Sequence, residues 1–387
     1  MDKAIETLIT YSCKTLMSKE MNTALSQLLG NHFYQSIASI KTLEQIILAL
    51  IQVRSVNLVK LAITLKATDN QASLYRKLQR FFSSFNLAYS SLAKLLVKLA
   101  QIEGDKWLLA IDRTNWKFGK LSINILVLSI CYKGIAIPIM WDMLDKEGAS
   151  NNIERQHLLK RFIAVFGVSK IQALLADREF IGDLWLSFLE YNKIPFYIRI
   201  KQNLTIGRTG KELITANNSV RKLKNGQEIV LRGKRYLGQN YKGPKVGIAA
   251  LRNEDGELVI IATNDNPSEA LALYSRRWEI ECLFGCLKTR GFNFEDTHLV
   301  NLDRINKLLG ILAIAFTFAY VVGIWQNEIK PIKCKKHGRK AMSLFRYGLD
   351  YLSRVLFFAA QMTQQIEEII ERFIKPLMPN WMENTKC

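Results

Sequence analysis

Residues and motifs that carry much enzyme chemistry are scarce in this chain. Only 4 of the 387 residues are histidine, and none of the four has a nucleophilic serine or cysteine context, so a hydrolytic triad has no support. No Gly-x4-Gly-Lys-Ser/Thr run is present, which leaves a P-loop ATPase without support as well. The 6 cysteines follow no repeating spacing, which favours reduced thiols in a cytosolic protein over a disulfide framework.

Acidic residues are also few relative to basic ones. The chain has 34 Asp or Glu against 54 Lys or Arg, a formal net charge of +20 and a pI near 9.6. This excess favours a polyanionic partner, either nucleic acid or an anionic membrane surface. A hydrophobic content of 49% excludes a mainly disordered chain. The length of 387 residues predicts roughly two to four domains.

One long uncharged run bears on the membrane alternative. Leu308–Trp325 contains eighteen residues without a charge, which is near the lower limit for a membrane-spanning helix. A helix buried within a large domain is also apolar on all sides, and the run contains Thr317 and two glycines. We expect a core helix, with an integral membrane protein as the alternative. The opening segment Met1–Ser18 is charged and amphipathic, so no secretory signal is predicted.

The most informative segment is Tyr274–Lys288. Read as one α-helix at about 100° per residue, it places Tyr274, Arg277, Glu281 and Lys288 within roughly 60° of one another. We call these four residues the polar stripe. A carboxylate flanked by a phenol and two cations suits a metal-binding acid that works beside phosphates. The alternative is a surface stripe in which Arg277 and Glu281 form an i,i+4 pair.

The spacing of the polar stripe, Tyr-x2-Arg-x3-Glu-x6-Lys, resembles the signature of the IS4 family of DDE transposases. Two further segments resemble that family's other acidic motifs. One is an apolar strand that ends in Asp112 and continues with Thr-x-Trp, and the other is a Leu-Leu-Ala-Asp-Arg-Glu-Phe run that contains Asp177. The resemblance covers about residues 105–325 well. It implies that Asp112, Asp177 and Glu281 are the catalytic triad and the metal ligands.

A resemblance to this family implies a cut-and-paste DNA transposase. Such an enzyme cleaves at terminal inverted repeats, through a hairpin intermediate, and joins the freed 3′-hydroxyl ends to target DNA. Two Mg²⁺ or Mn²⁺ ions per active site are implied, because phosphoryl transfer at carboxylate sites uses such pairs. The implied partners are double-stranded DNA and a second subunit in a synaptic homodimer, with no membrane, in the bacterial cytoplasm at the nucleoid. A domesticated, non-cleaving DNA-binding protein of the same fold is the alternative.

Side chains near the triad are predicted to contact DNA. Within the resemblance, Tyr274, Arg277 and Lys288 bind phosphates near the cleaved end, Arg277 through its planar fork and Lys288 as a point charge. Arg178 follows the second acid directly. It either neutralises a phosphate or pairs with Glu179.

The order of predicted elements is that of the ribonuclease-H-like fold, which the resemblance also implies. Three strands are followed by helix, strand, helix and strand: Lys106–Asp112, Leu121–Tyr132, Ile135–Trp141, Asn152–Phe166, Lys170–Ala176, Ile181–Tyr191 and Pro195–Ile200. Asp112 then closes the first strand beside Asp177, which follows the fourth. The predicted fold class is α/β, with a ribonuclease-H-like catalytic core, a β-strand insertion and helical regions at both ends.

Two basic segments are predicted to bind DNA outside the catalytic domain. A capped helix over Asp69–Phe82 carries Arg76 and Arg80 one turn apart, on a face that suits docking in a DNA groove. Residues 201–245 hold eleven Lys or Arg and two acids, a bias that favours contact with a phosphate backbone. A solvated basic surface is the alternative for both. The predicted domains are a helical DNA-binding domain at 1–103, a catalytic domain at 104–200 and 265–328, a β insertion at 201–264, and a basic loop with C-terminal helices at 329–387.

Overall fold

The computed structural model of the protein describes residues 20–65, 70–119, 121–208, 212–238, 243–336 and 338–378. The opening segment Met1–Ser18 lies outside the described residues. The absence of a secretory signal there stays a prediction. The chain divides into two compact units. The helical unit comprises Met1–Ile102 and Gly285–Cys387, and the sheet unit comprises Glu103–Phe284.

The N-terminal part of the helical unit is a series of helices, as the apolar periodicity predicts. They are α1 (Glu20–His32), α2 (Ile37–Val53), α3 (Leu58–Leu65), α4 (Gln71–Ser84) and α5 (Tyr89–Leu99). Side-chain caps explain where two of them begin. The Ser36 hydroxyl accepts from the Ser39 amide before α2, and Asn70 Oδ1 accepts from the Ala72 amide before α4.

The strands of the described residues lie in the sheet unit. They are β1 (Trp107–Phe118), β2 (Leu121–Tyr132), β3 (Ile135–Met143), β4 (Ile171–Ala176), β5 (Phe196–Arg199), β6 (Thr205–Gly207), β7 (Ile214–Thr215), β8 (Gln227–Val230), β9 (Tyr236–Leu237), β10 (Gly247–Arg252) and β11 (Leu258–Thr263). The helices are α6 (Asn152–Phe166), α7 (Asp183–Tyr191), α8 (Ala216–Ser219), α9 (Ala270–Ser275) and α10 (Trp278–Leu287). Helix α10 leads the chain into the helical unit.

An eight-stranded mixed sheet forms the centre of the sheet unit, in the order β3-β2-β1-β4-β5-β11-β10-β8. Strands β1, β2 and β3 pair antiparallel, whereas β4 and β5 run parallel to β1. Strands β6, β7 and β9 form a second, small sheet. The mixed central sheet with flanking helices confirms the predicted α/β class and its ribonuclease-H-like core. Helix α6 spans the predicted residues, because Asn151 and Glu154 cap it reciprocally.

Two parts of the sheet differ from the prediction. Strand β1 does not end at Asp112, because residues 113–118 continue to pair with β2, up to Phe118 opposite Leu121. Strands β8, β10 and β11 fall in the predicted insertion but extend the central sheet, since β11 pairs antiparallel with β5. The run Leu258–Thr263 is buried at all but one position, which is typical of a strand covered on both faces.

The C-terminal part of the helical unit forms α11 (Leu302–Ile329), α12 (Leu344–Phe357) and α13 (Thr363–Ile369). Helix α11 contains the uncharged run. Of its most apolar stretch of 18 residues, 94% is buried, as expected of a core helix. Among the described residues, α11 is long and apolar enough to cross a membrane. The bent pair α1 and α2 also is, if the two helices are taken as one span. Gly323 and Gly348 let α11 and α12 approach closely, because a Cβ on either would overlap backbone atoms of the other helix.

Candidate active site

The two aspartates of the predicted triad lie side by side on neighbouring strands. Strands β1 and β4 are parallel, and the register sets Ile111 opposite Ala176. Asp112 and Asp177 are the next residues on each chain, so they occupy adjacent positions at the same level of the sheet. The backbone of two central strands therefore sets the spacing of the two carboxylates.

The carboxyl group of Asp112 is held in an environment that disfavours its charge. Only 17% of its side chain is exposed, and burial raises the pKa of Asp112 to about 6. The Arg113 amide, which donates to Asp112 Oδ1 at 2.7 Å, and the Arg277 guanidinium act in the opposite direction. The neighbouring charges of Asp177 and Glu179 add to the rise.

A single arginine joins the first acid to the third. Arg277 Nη1 donates to Asp112 Oδ2 at 3.2 Å, and Nη2 donates to Glu281 Oε1. The Arg277 side chain is 11% exposed, against 34% for Glu281. Burial opposes the charged guanidinium, but Tyr274 and the two carboxylates outweigh it, so the pKa of Arg277 lies above its usual value. Arg277 is therefore a permanent cation between two acids.

Tyr274 extends the same chain of contacts to the second acid. Its hydroxyl donates to Asp177 Oδ1 at 3.4 Å, and its ring centre lies 5.6 Å from the guanidinium carbon of Arg277. Burial raises the pKa of Tyr274 to about 12, so the phenol keeps its proton at neutral pH and remains a donor. Tyr274, Arg277 and the three acids thus form one network, which we call the acid network.

The polar stripe is not the single helix that its spacing predicts. Helix α9 ends before Arg276 and α10 begins after Arg277, because the amides of these two residues bond to carbonyls three residues earlier, at 3.1 and 2.9 Å. No proline or glycine lies at the break, and Arg277 contacts Asp112 and Glu281 from it. Helix α10 ends at Leu287. Lys288 lies in the following turn, within the helical unit, and its Nζ pairs with Glu295 at 2.8 Å.

The donor set of the three acids suits a hard divalent cation. Asp112, Asp177 and Glu281 offer only carboxylate oxygens, the ligand type that Mg²⁺ and Mn²⁺ prefer, and a cation would offset the cost of ionising buried Asp112. Within the described residues, no three His, Cys, Asp or Glu side chains already converge on one point. Arg277 binds one oxygen of Asp112 and one oxygen of Glu281, and each of these carboxylates has a second oxygen that could bind a cation.

A partly buried ion pair ties the chain beside Asp112 to the chain beside Asp177. Arg113 donates from Nε and Nη2 to the two carboxylate oxygens of Glu179, at 3.2 and 3.1 Å, a two-point contact of defined geometry. Arg113 also donates to Asn124 Oδ1 at 3.0 Å. Neither partner of the pair was predicted as a site residue, although each follows a triad aspartate within two positions.

Three of the predicted basic contacts, Arg178, Arg76 and Arg80, are exposed. Arg178 does not pair with Glu179, whose carboxylate Arg113 holds, and no acidic side chain of the described residues forms an ion pair with Arg178. Its charge is open to a phosphate. Arg76 and Arg80 are likewise exposed, on α4 of the helical unit.

The basic segment 201–245 brings like charges together. Arg208 and Arg235 both donate to the carbonyl of Arg232, the latter at 2.8 Å. Burial, followed by the charge of Arg208, lowers the pKa of Arg235. Cations placed so closely repel one another, and a phosphate group would relieve that repulsion.

Comparison with known proteins agrees with this geometry. A family model described as the transposase DDE domain matches residues 103–318, which is more than half of the chain. The matched range includes the strands that position Asp112 and Asp177 and the helix that carries Glu281. A search of curated proteins found no match to the chain.

Proposed function

The chain belongs to the DDE transposase family, and we propose that it is a cut-and-paste DNA transposase of the IS4 type. Transposases act on DNA, and the family generally uses divalent metal ions. In our proposal the enzyme cleaves at the terminal inverted repeats of its element, through a hairpin intermediate, and joins the freed 3′-hydroxyl ends to target DNA. It works as a homodimer that pairs the two ends, in the bacterial cytoplasm at the nucleoid.

The acid network carries the proposal. Three acids that are far apart in sequence are linked through Arg277 and Tyr274, inside the range that the family model matches. A carboxyl group with a pKa near 6 in a partly buried polar network is more typical of a reacting site than of a surface ion pair. The side-by-side placement of Asp112 and Asp177 is what phosphoryl transfer at shared cations requires.

Asp112, Asp177 and Glu281 would hold two Mg²⁺ or Mn²⁺ ions. When bound, such ions activate the attacking water or hydroxyl and stabilise the leaving oxygen. The two aspartates are carried by paired central strands, which keep their carboxylates in a fixed register. Glu281 lies on a helix and is 34% exposed, against 17% for Asp112, and it would supply the third carboxylate.

Arg277 and Tyr274 would bind the phosphate beside the cut. A guanidinium offers parallel N–H groups to phosphate oxygens much as it does to carboxylates, so Arg277 can exchange one partner for the other. Tyr274 keeps its proton at neutral pH and donates a further hydrogen bond. Arg178, which is exposed beside Asp177, and Lys288 would contact further phosphates of the DNA.

A plasmid that carries the element with its genomic flanks tests the proposal. With Mg²⁺, the protein should yield nicked, hairpin-ended and strand-transferred products in that order, and none of them with EDTA in place of Mg²⁺. Protein that binds the ends but forms no nick with Mg²⁺ or Mn²⁺ would support the other candidate, a domesticated DNA-binding protein of the same fold.

A further inference from the structure

A polar groove lies between α4 and α11 on the surface of the helical unit. Its volume is about 790 Å³, and the residues that define it are mainly basic or hydroxyl- and amide-bearing: Ser73, Arg76, Gln79, Arg80, Ser83 and Arg304. The described lining contains no acidic residue. Arg304 comes from α11, far from the other residues in sequence, and no motif pointed to it.

Packing fixes both walls of the groove. Helix α4 buries its leucine and phenylalanine side chains, which turns Arg76 and Arg80 to the solvent about 6 Å apart along the helix axis. Helix α11 is tied to α4 through Lys307, whose Nζ donates to the Phe82 carbonyl at 3.2 Å. The groove is therefore defined by two helices that pack against each other, not by loops.

Three arginines share the groove without an acidic partner among the described residues. Arg304 Nη2 donates to Ser83 Oγ at 3.4 Å, which holds its guanidinium against α4. Three other arginines of the helical unit, Arg54, Arg346 and Arg372, form ion pairs with aspartate or glutamate. No acidic side chain that the structure describes pairs with Arg76, Arg80 or Arg304. Uncompensated cations on a rigid surface favour an anionic partner.

We propose that this groove binds the sugar-phosphate backbone of double-stranded DNA, and that Arg304 anchors it together with Arg76 and Arg80. The inference rests on the proposed function, because it takes DNA as the substrate. Guanidinium groups bind phosphate oxygens at two points, and Gln79 and the serines supply the uncharged donors that commonly position a duplex without reading its sequence. The groove and the acid network share no residue.

The test is the affinity of the full-length protein for a short fluorescein-labelled duplex of arbitrary sequence, measured by anisotropy over a range of salt concentrations. Each lost phosphate contact lowers the slope of log affinity against log salt by about 0.9, which corresponds to about eightfold weaker binding near 0.1 M salt. Arg304→Ala should show that change. The double variant Arg76→Ala with Arg80→Ala should show about twice the change in slope.

Lys94→Ala is the matched control, because Lys94 is exposed on α5 of the same unit and does not line the groove. It should bind like the wild type. Arg304→Gln keeps most of the side-chain volume, so it should lose affinity as Arg304→Ala does while its thermal melt stays at the wild-type value. Wild-type affinity and slope in both Arg304 variants would overturn the assignment of Arg304.

Nicking of the element plasmid with Mg²⁺ separates this inference from the proposed function. Wild-type protein that nicks, with groove variants that bind DNA as tightly as it does, would overturn the groove alone. Wild-type protein that does not nick, with groove variants that lose duplex affinity, would overturn the transposase proposal and uphold the groove as a DNA site.

Discussion

The arginines of the acid network and those of the groove have opposite surroundings. Arg277 is 11% exposed and bound to two carboxylates, whereas Arg76 and Arg80 face the solvent without an acidic partner among the described residues. Paired charges with little access to water hold one another in place, because their attraction is weakly screened. Exposed cations gain most when a phosphate arrives and counterions leave. The acid network thus fixes the positions of the reacting side chains, and the groove contributes affinity for DNA.

This comparison predicts two classes of variant. Changes to the three acids of the acid network should alter rates and stability while affinity for DNA and its salt dependence stay nearly constant. Changes at the exposed arginines should alter affinity and its salt dependence, while nicking persists once the DNA is saturated with protein. A variant that falls in the wrong class would break the comparison.

Apart from the loss of cleavage in the triad variants, the largest expected effect is on stability, from Asp112→Asn in the metal-free protein. The pKa of Asp112 is about 6 in the folded state, against an ordinary value of 3.8. Above pH 6 the folded state therefore carries the cost of an ionised buried carboxylate, at most about 3 kcal/mol. Below about pH 4 the group is protonated in both states and the cost is absent, so its contribution to stability falls as pH rises between these limits.

Thermal melts in EDTA on both sides of this pH window measure the effect. The melting temperature of Asp112→Asn should be higher than that of the wild type at neutral pH and equal to it at acid pH. Asp255→Asn, at an exposed hairpin turn, is the control and should match the wild type at both. A lower melting temperature for Asp112→Asn at neutral pH would show that the pairing with Arg277 outweighs burial.

Arg277→Ala should slow the steps after the first nick by about a hundredfold, because positioning of the cut end sets the geometry of in-line attack. Nicked DNA should accumulate in a time course with Mg²⁺, and Lys288→Ala should give the same order of products with a smaller loss. Arg276→Ala is the matched control, since Arg276 is the neighbouring residue and pairs with Glu279 at 2.9 Å. Arg277→Ala protein that does not nick at all would place Arg277 in assembly of the triad instead.

Arg113→Gln and Glu179→Gln should each raise the Mg²⁺ concentration for half-maximal nicking by about 10- to 100-fold, the usual effect of losing a group that orients metal ligands. The physical reason is that their two-point pair fixes the chain beside both aspartates. The double variant should be little worse than either single one, because both remove the same contact. Losses that simply add would show that the two residues act independently.

Arg178→Ala should have the smallest effect, the loss of one phosphate contact. Affinity for an element end should fall about eightfold near 0.1 M salt, with a slope shallower by about 0.9. Asp112→Asn serves as the comparison and should keep the wild-type slope. Unchanged affinity for Arg178→Ala would show that Arg178 is a solvated surface residue that does not contact a phosphate.

The placement of Asp112 and Asp177 could be predicted from the sequence because it depends on local signals. Apolar runs define the strands, and a helix between parallel strands brings their ends to the same edge of a sheet. The core helix was predictable for the same reason, since Leu308–Trp325 is apolar on every face. Both inferences need only the order and the character of the elements.

Contacts between distant residues were beyond the reach of the sequence. The pair Arg113 and Glu179 depends on the register of β1 against β4, and no proline or glycine in the sequence marks the break before Trp278. Arg304 joins the groove only because α11 packs against α4. No spacing along the chain records such contacts, so these residues were missed.

The central claim is that Asp112, Asp177 and Glu281 cleave DNA with divalent cations, and one paired measurement tests it most directly. End binding and Mg²⁺-dependent nicking are measured on the same preparations of Asp112→Asn, Asp177→Asn and Glu281→Gln, with Asp255→Asn as the control. Because an amide keeps the shape of the side chain but loses the charge that holds the cations, each triad variant should bind the ends nearly as the wild type does and form no nick. Loss of binding together with cleavage in all three, or cleavage retained in any one, would contradict the claim.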